Sequence, residues 1–112
     1  MPKLFVYGTL MRGCSAAHRM KNAIFIQYAI CEGFDLYSFD DKGYPGMYYG
    51  TNIVLGEVYY VSEALLSELD NYEGDEYERV SIICCCNEVY TYICKLPTDG
   101  ARKIGRWISD KR

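Results

Sequence analysis

Two segments of the sequence carry residue types that can do chemistry. The first is Tyr7-Gly8-Thr9-Leu10, which follows a hydrophobic run and precedes a basic, glycine-containing turn. Glycine adopts backbone angles that other residues avoid, so a strand that ends at Gly8 can turn its next backbone N–H groups toward one point. Converging N–H groups form a nest that binds an anion. The segment is therefore either an anion-binding turn or an ordinary tight loop.

The second is Glu73, which occupies an unusual position for a carboxylate. It lies at the C-terminal end of a predicted helix, directly before Gly74, where the helix dipole disfavours negative charge. Neighbouring acidic residues add like-charge repulsion, and both effects raise a carboxyl pKa. A raised pKa is what a general base needs, so we predict Glu73 as a candidate general base. The other carboxylates of this region are interpreted as a solvated helix end.

Other kinds of catalytic or metal site have little support in the sequence. The chain has one histidine, His18, in a predicted surface helix, which favours a solvent-facing role. No phosphate loop, metal-ligand motif or Cys-x-x-Cys pair is present. Consecutive cysteines do not easily bridge each other, and strand alternation would place Cys84 and Cys86 on one face. We therefore predict no metal site and interpret the six cysteines as small apolar filler.

The composition indicates one folded domain over residues 1–112, with half of its residues hydrophobic. Its 12 tyrosines suit half-buried strands and wet cavities. The net charge of −3, without a basic stripe, argues against a nucleic-acid partner. No apolar run is long enough to span a membrane and no signal-peptide core is present, so we expect a cytoplasmic protein without a membrane partner. The oligomeric state is not indicated.

The elements that must position these residues are mostly strands. Strands are predicted over residues 3–7, 23–39 and 52–61, and a hairpin over 78–86 and 89–96 turns around Asn87-Glu88. Helices are predicted over 14–22, with Ser15 as N-cap, and over 62–72, with Ser62 as N-cap and Leu65, Leu66 and Leu69 as apolar stripe. Pro45 predicts a sheet edge or a loop lip.

This pattern predicts an α+β fold, a small and mostly antiparallel β-barrel with short flanking helices. The alternative is an open α+β sheet with helices on one face.

Four motifs follow one another along almost the whole chain. They are Phe5-Val6-Tyr7-Gly8-Thr9-Leu10, Tyr44-Pro45-Gly46, Gly56-Glu57-Val58-Tyr59, and Leu69-Asp70-Asn71-Tyr72-Glu73-Gly74 with Tyr77-Glu78-Arg79 just beyond. Their order strongly resembles the γ-glutamylcyclotransferase-like family, in particular its small members related to γ-glutamylamine cyclotransferase and the plant avirulence-induced AIG2-like proteins. The resemblance implies a small β-barrel enzyme that needs no cofactor. Its reaction cyclises a small-molecule γ-glutamyl amine or γ-glutamyl amino acid to 5-oxoproline and releases the amine.

The resemblance also implies roles for individual residues. Backbone N–H groups of Gly8, Thr9 and Leu10 would hold the substrate's α-carboxylate, and Tyr7 would line the cavity. Glu73 would be the general acid/base, which takes a proton from the α-ammonium and gives it to the leaving nitrogen. Tyr77 would line or hydrogen-bond the site.

Two alternatives to the cyclotransferase remain open at this point. One is a non-catalytic small barrel that binds a carboxylate metabolite or a protein partner. The other is a γ-glutamyl amide hydrolase in which Glu73 activates water and the product is free glutamate. The leaving group and the oxyanion donors are not identified.

Overall fold

The computed structural model describes residues 1–108, which form six strands, one α-helix and two 3₁₀-helices. The strands are β1 (Lys3–Val6), β2 (Ile24–Phe39), β3 (Tyr44–Tyr60), β4 (Tyr77–Cys84), β5 (Asn87–Cys94) and β6 (Arg102–Ile104). The helix α1 is Glu63–Glu73, and the 3₁₀-helices are Ala17–Met20 and Gly74–Glu76. Residues 109–112 of the predicted domain lie outside the described residues. None of the helices among residues 1–108 is long and apolar enough to cross a membrane.

The six strands form one curled sheet in the order β4-β5-β1-β3-β2-β6. Every ladder is antiparallel except the β1–β5 pair, so the predicted α+β class with a mostly antiparallel sheet is confirmed. The closed barrel is not confirmed, because β4 and β6 are the two ends and no ladder joins them among residues 1–108. The arrangement lies between the two predicted architectures, curled like a barrel but open like a sheet.

β1 sits in the interior of the sheet and packs against a hydrophobic core on each face. Successive side chains of a strand point to opposite faces. Phe5 and Tyr7 therefore belong to the core enclosed by the curled sheet, whereas Leu4 and Val6 belong to the core shared with α1. The chain that leaves β1 is thus held where the sheet and the helix meet.

The helix α1 begins and ends as predicted. The Ser62 hydroxyl accepts the Leu65 N–H at 3.0 Å, and Leu65, Leu66 and Leu69 are buried against the sheet. Gly74 follows with φ 67°, and its N–H donates to the Asp70 carbonyl.

The first predicted helix, over 14–22, is wrong. This segment forms the short 3₁₀-helix Ala17–Met20, with Ala16 at its N-cap and no side-chain cap bond. The Ala17 N–H bonds the Cys14 carbonyl three residues back, so the chain turns too tightly for an α-helix. His18 is exposed there, as predicted.

Pro45 lies inside strand β3 and not in a loop. The β2–β3 ladder continues through Ser38 opposite Pro45 to Phe39 opposite Tyr44. β1 pairs only with the distal end of β3, opposite Glu57 to Tyr60, so this end of β3 has a ladder on one side only. The missing N–H of proline is tolerated at such an edge, as the predicted edge position requires.

The β4–β5 hairpin turns at Cys85-Cys86, two residues before the predicted Asn87-Glu88 turn. Cys84 pairs with Asn87 across the ladder, and Cys85 and Cys86 have φ 52° and 64°. Two consecutive positive φ angles match the twist of a tight two-residue hairpin. Cys84 and Cys86 therefore do not share a strand face, because the strand ends at Cys84.

The interpretation of every cysteine as apolar filler is also wrong. Cys84 forms a disulfide with Cys31 of β2, which is 53 residues away in sequence. The bond links β4 to β2 across the concave side of the sheet. Cys14 and Cys94 are buried outside the disulfide, as expected of filler, whereas Cys85 and Cys86 are exposed.

Candidate functional site

A cavity of about 170 Å³ lies where the end of β1, the proline-containing end of β3 and the end of α1 meet. All six residues that the sequence marked as site residues line it: Tyr7, Gly8, Thr9, Leu10, Glu73 and Tyr77. Two segments that are far apart in the chain are therefore neighbours in the fold.

The turn of residues 8–10 offers backbone donors to this cavity. The Gly8 carbonyl accepts the Met11 N–H at 3.0 Å, and the Thr9 carbonyl accepts the Ala16 N–H at 2.9 Å. Within residues 1–108, the N–H groups of Gly8, Thr9 and Leu10 donate to no protein acceptor. Consecutive unpaired N–H groups at one cavity form an arrangement that can hold an anion.

Gly8 is required for space and not for an unusual backbone angle. Its φ is not among the positive values of the chain, contrary to the conformational freedom inferred from the sequence. A Cβ at this position would lie 2.7 Å from Cγ and 3.1 Å from Cδ of Pro45. The absence of a side chain therefore lets β1 end directly against the lip formed by β3.

Glu73 is a half-buried carboxyl group whose pKa is raised from 4.5 to about 7. Burial is the larger cause, and the nearby carboxylate of Glu76 is the second. The rise itself matches the sequence prediction, and so does the like-charge contribution. The main cause was not foreseen, because the elements that bury Glu73 come from distant parts of the chain.

The hydroxyl groups of Tyr7 and Tyr77 form hydrogen bonds with backbone groups of the protein. The Tyr7 hydroxyl donates to the Tyr92 carbonyl at 2.7 Å and accepts the Met47 N–H at 3.3 Å. The Tyr77 hydroxyl donates to the Pro45 carbonyl at 2.5 Å. Burial raises the pKa of both phenols well above their ordinary value, so both stay neutral donors. The two rings shape the cavity and fix its lip.

Seven residues that were not marked as site residues also line the cavity: Phe5, Val6, Tyr44, Pro45, Tyr72, Glu76 and Tyr92. The Tyr44 hydroxyl donates to Glu76, and burial, then this bond, raises its pKa to about 12. Glu76 follows Glu73 by three residues and is the last residue of the 3₁₀-helix that starts at Gly74. That spacing was the available signal, but in the sequence it is indistinguishable from an acidic solvated loop.

The charge of the cavity is one-sided. Among residues 1–108, its lining contains the carboxyl groups of Glu73 and Glu76 but no lysine, arginine or histidine side chain. An anionic group can therefore bind through backbone N–H groups alone, at the turn of residues 8–10. The opposite wall favours a cation or a proton donor.

No group of three or more His, Cys, Asp or Glu side chains that could hold a metal ion occurs in the described part of the chain.

Comparison with known proteins identifies the family. The family model described as "Gamma-glutamyl cyclotransferase, AIG2-like" matches residues 4–109. The chain is 34% identical over 110 residues to the "Gamma-glutamylcyclotransferase family protein YtfP" of Escherichia coli strain K12, with 95% of this chain and 96% of that protein covered. It is 38% identical over 73 residues to the "Gamma-L-glutamyl-butirosin B gamma-glutamyl cyclotransferase" of Niallia circulans, covering 65% and 46% of the two chains.

A solved structure shows the same fold. The AIG2-like protein from Mus musculus superposes with a TM-score of 0.88 at 23% identity, covering 99% of this chain and 90% of that one. Together with the match of the family model over nearly the whole chain, these similarities assign the protein: it belongs to the γ-glutamyl cyclotransferase, AIG2-like family.

Proposed function

We propose that the protein cyclises a γ-glutamyl amine to 5-oxoproline and releases the free amine, with Glu73 as general acid/base. One observation carries the proposal. A carboxyl group with a pKa of about 7 shares a small cavity with three unpaired backbone N–H groups. The name of the Niallia circulans relative, a γ-glutamyl cyclotransferase of γ-glutamyl-butirosin B, describes the same class of reaction.

The turn of residues 8–10 would hold the substrate's α-carboxylate. Charge-assisted hydrogen bonds from N–H groups to a carboxylate are short and stronger than neutral ones. Because no described residue puts a basic side chain into the cavity, these donors are the feature that would distinguish an α-amino acid group from a plain amine. The rest of the substrate then extends toward Glu73.

The reaction needs no external nucleophile. Glu73 takes a proton from the α-ammonium, and the neutral nitrogen attacks the γ-carbonyl carbon to form the ring C–N bond. Glu73 gives this proton to the leaving nitrogen, whose bond to carbon breaks as the tetrahedral intermediate collapses. The ring nitrogen then loses its second proton to the ionised Glu73, which passes it to the released amine. One carboxyl group can serve both steps because both nitrogens are bonded to the same carbon. The ring closure is unimolecular, so holding the substrate in a curled conformation removes much of the entropic barrier.

The raised pKa of Glu73 fits the first step. An α-amino group titrates near pH 8, so a carboxyl group at its ordinary 4.5 would accept that proton at a cost of roughly 5 kcal/mol. At a pKa of about 7 the cost falls to roughly 1 kcal/mol. Partial desolvation of the carboxylate therefore removes most of the mismatch between donor and acceptor.

The acidic wall of the cavity, formed by Glu73 and Glu76, favours an amine as leaving group over an amino acid. A leaving group with its own carboxylate would face Glu76 without any basic side chain of the lining to compensate it. A leaving group with a second ammonium would be attracted there. At about 4 Å such a pair of charges interacts by roughly 1 to 4 kcal/mol, depending on solvent screening.

The first test concerns the role of Glu73. Glu73→Gln keeps the shape of the side chain but cannot carry the proton, so 5-oxoproline formation from γ-glutamyl amines should fall by roughly 10² to 10⁴-fold. Glu68→Gln is the matched control, because Glu68 is an exposed carboxylate on the same helix, and it should retain wild-type activity. A Glu73→Gln variant with full activity would refute the assignment.

The product separates the alternatives. Chromatography of the reaction mixture should find 5-oxoproline and the amine in equal amounts. Free glutamate would instead indicate hydrolysis by a water that Glu73 activates. Binding without either product would leave a non-catalytic carboxylate-binding protein.

The second test concerns the leaving group. A γ-glutamyl diamine should have a kcat/KM at least about tenfold above that of γ-glutamylglycine, since attraction replaces repulsion at Glu76. The ratio of the two kcat/KM values should become smaller at high salt and in Glu76→Gln, but not in Glu68→Gln. Equal kcat/KM values for both substrates in the wild type would refute the role of the acidic wall.

The third test is the pH dependence of turnover. If Glu73 must be ionised in the free enzyme, kcat/KM should rise with pH through an acidic limb near pH 7. Removing the negative charge at Glu76 lowers the pKa of Glu73, so Glu76→Gln should move this limb to lower pH. A limb that stays in place would show that Glu76 does not act on the titrating group.

The fourth test is the pH dependence of stability. The pKa of Glu73 is about 7 when folded and near 4.5 when unfolded, so the folded state loses stability as pH rises across this window. Glu73→Gln lacks this loss. It should match the wild type at pH 4 and exceed it at pH 8 by up to roughly 3 kcal/mol in the free energy of unfolding. Urea titrations at both pH values measure the difference in the free energy of unfolding between Glu73→Gln and the wild type. The same difference at pH 4 and at pH 8 would contradict a raised pKa of Glu73.

A further inference from the structure

Glu57 is a nearly fully buried carboxylate that the proposed reaction does not use. It lies on β3 opposite Val6, the last residue of β1, and only 5% of it is exposed. Burying a charged group costs free energy unless it is paired and hydrogen-bonded. The partners of Glu57 therefore indicate what its burial is for.

Those partners tie β3 to the chain that leaves β1. Oε1 of Glu57 accepts the backbone N–H of Arg12 at 3.0 Å and the hydroxyl of Tyr59 at 2.9 Å. Oε2 lies 3.7 Å from Nε of Arg12. Burial, then the bond to Glu57, raises the pKa of Tyr59, which keeps its hydroxyl a donor.

The bond to the backbone N–H is the part of this cluster that positions the chain. The Arg12 side chain is 52% exposed, so its ion pair with Glu57 is weakened by solvent. The guanidinium lies 3.8 Å from the centre of the Phe25 ring and donates to the Tyr28 hydroxyl at 2.7 Å. It thereby covers the carboxylate and offsets its negative charge. A bare negative charge behind an anion-binding turn would repel the anion.

Arg12 is two residues beyond Leu10, so this bond fixes the far end of the turn of residues 8–10. The near end is fixed by β1, and the Met11 N–H closes the turn onto the Gly8 carbonyl. We propose that Glu57 is a positioning residue that holds the turn in its anion-binding conformation, through the Arg12 backbone N–H. The identity of the anion, the α-carboxylate of a γ-glutamyl group, rests on the function proposed above.

The test replaces Glu57 and measures recognition of the carboxylate. Glu57→Ala removes the acceptor, and Glu57→Met removes it while it fills the same volume, which protects folding if the alanine variant unfolds. Glu57→Gln keeps an acceptor for the Arg12 N–H and should restore binding. Glu32→Gln removes an exposed charge on the neighbouring strand and serves as control.

The binding measurement uses 5-oxoproline and its carboxamide, in calorimetric titrations. Glu57→Met should weaken binding of the carboxylate about tenfold, a ratio equivalent to ~1.4 kcal/mol, and binding of the carboxamide by less than about twofold. In turnover, KM should rise by a similar factor and kcat should change less than about threefold, because the turn contacts a group remote from the reacting carbon.

If Glu57 had a merely structural role, Glu57→Met would weaken the binding of both ligands alike, and that result would overturn the inference. A wild type that binds neither ligand would also overturn it. If the wild type makes no 5-oxoproline but Glu57→Met still weakens the carboxylate selectively, the proposed function fails and the positioning role stands. If the wild type makes 5-oxoproline but Glu57→Met binds the carboxylate as tightly as the wild type does, the proposed function stands and the positioning role fails.

Discussion

The burial of β1 on both of its faces is the constraint on which the rest of the structure depends. Leu4 and Phe5 have no exposed surface, and each fully buried side chain of this size contributes roughly 1.5 to 3 kcal/mol. One side chain belongs to the core inside the curled sheet and the other to the core beneath α1. The strand can satisfy both only between β5 and β3, and its end therefore meets the end of α1.

The candidate site combines two features that are unfavourable in the absence of a ligand. The N–H groups of residues 8–10 have no acceptor among residues 1–108, and Glu73 remains in surroundings that disfavour its ionised form. Both features cost stability, and in the proposed function both would serve a ligand that carries a carboxylate and an ammonium. The packing of β1 and the cap at Gly74 offset these costs locally, so the functional residues lie on rigid elements and not in a long loop.

Sequence reasoning succeeded where the signal is local. The cap at Ser62, the glycine that ends α1 and the apolar periodicity of the helix depend on residues a few positions apart. It failed where the cause is a distant contact. Glu73 shares its cavity with the end of β1 and with Pro45, which are distant in sequence, and the partner of Cys84 is 53 residues away.

For Glu57, strand alternation predicts which face of β3 the side chain lies on, but it does not predict that the segment after β1 covers that face. The family resemblance predicted that the turn of residues 8–10 and Glu73 belong to one site. Hydrophobic periodicity could not predict this, because it reports only on residues that are close in sequence.

The disulfide divides the chain into a covalent ring and two segments outside it, one on each side. The ring closed by Cys31 and Cys84 contains β3 and α1, hence Glu57 and Glu73, while β1 and the turn of residues 8–10 lie outside it. Cross-linking restricts only the ring in the unfolded chain. The proposed proton-transfer group and the proposed anion-binding groups thus belong to topologically separate parts of the chain. The cavity forms only when β1, which lies outside the ring, packs into the sheet without a covalent link to it.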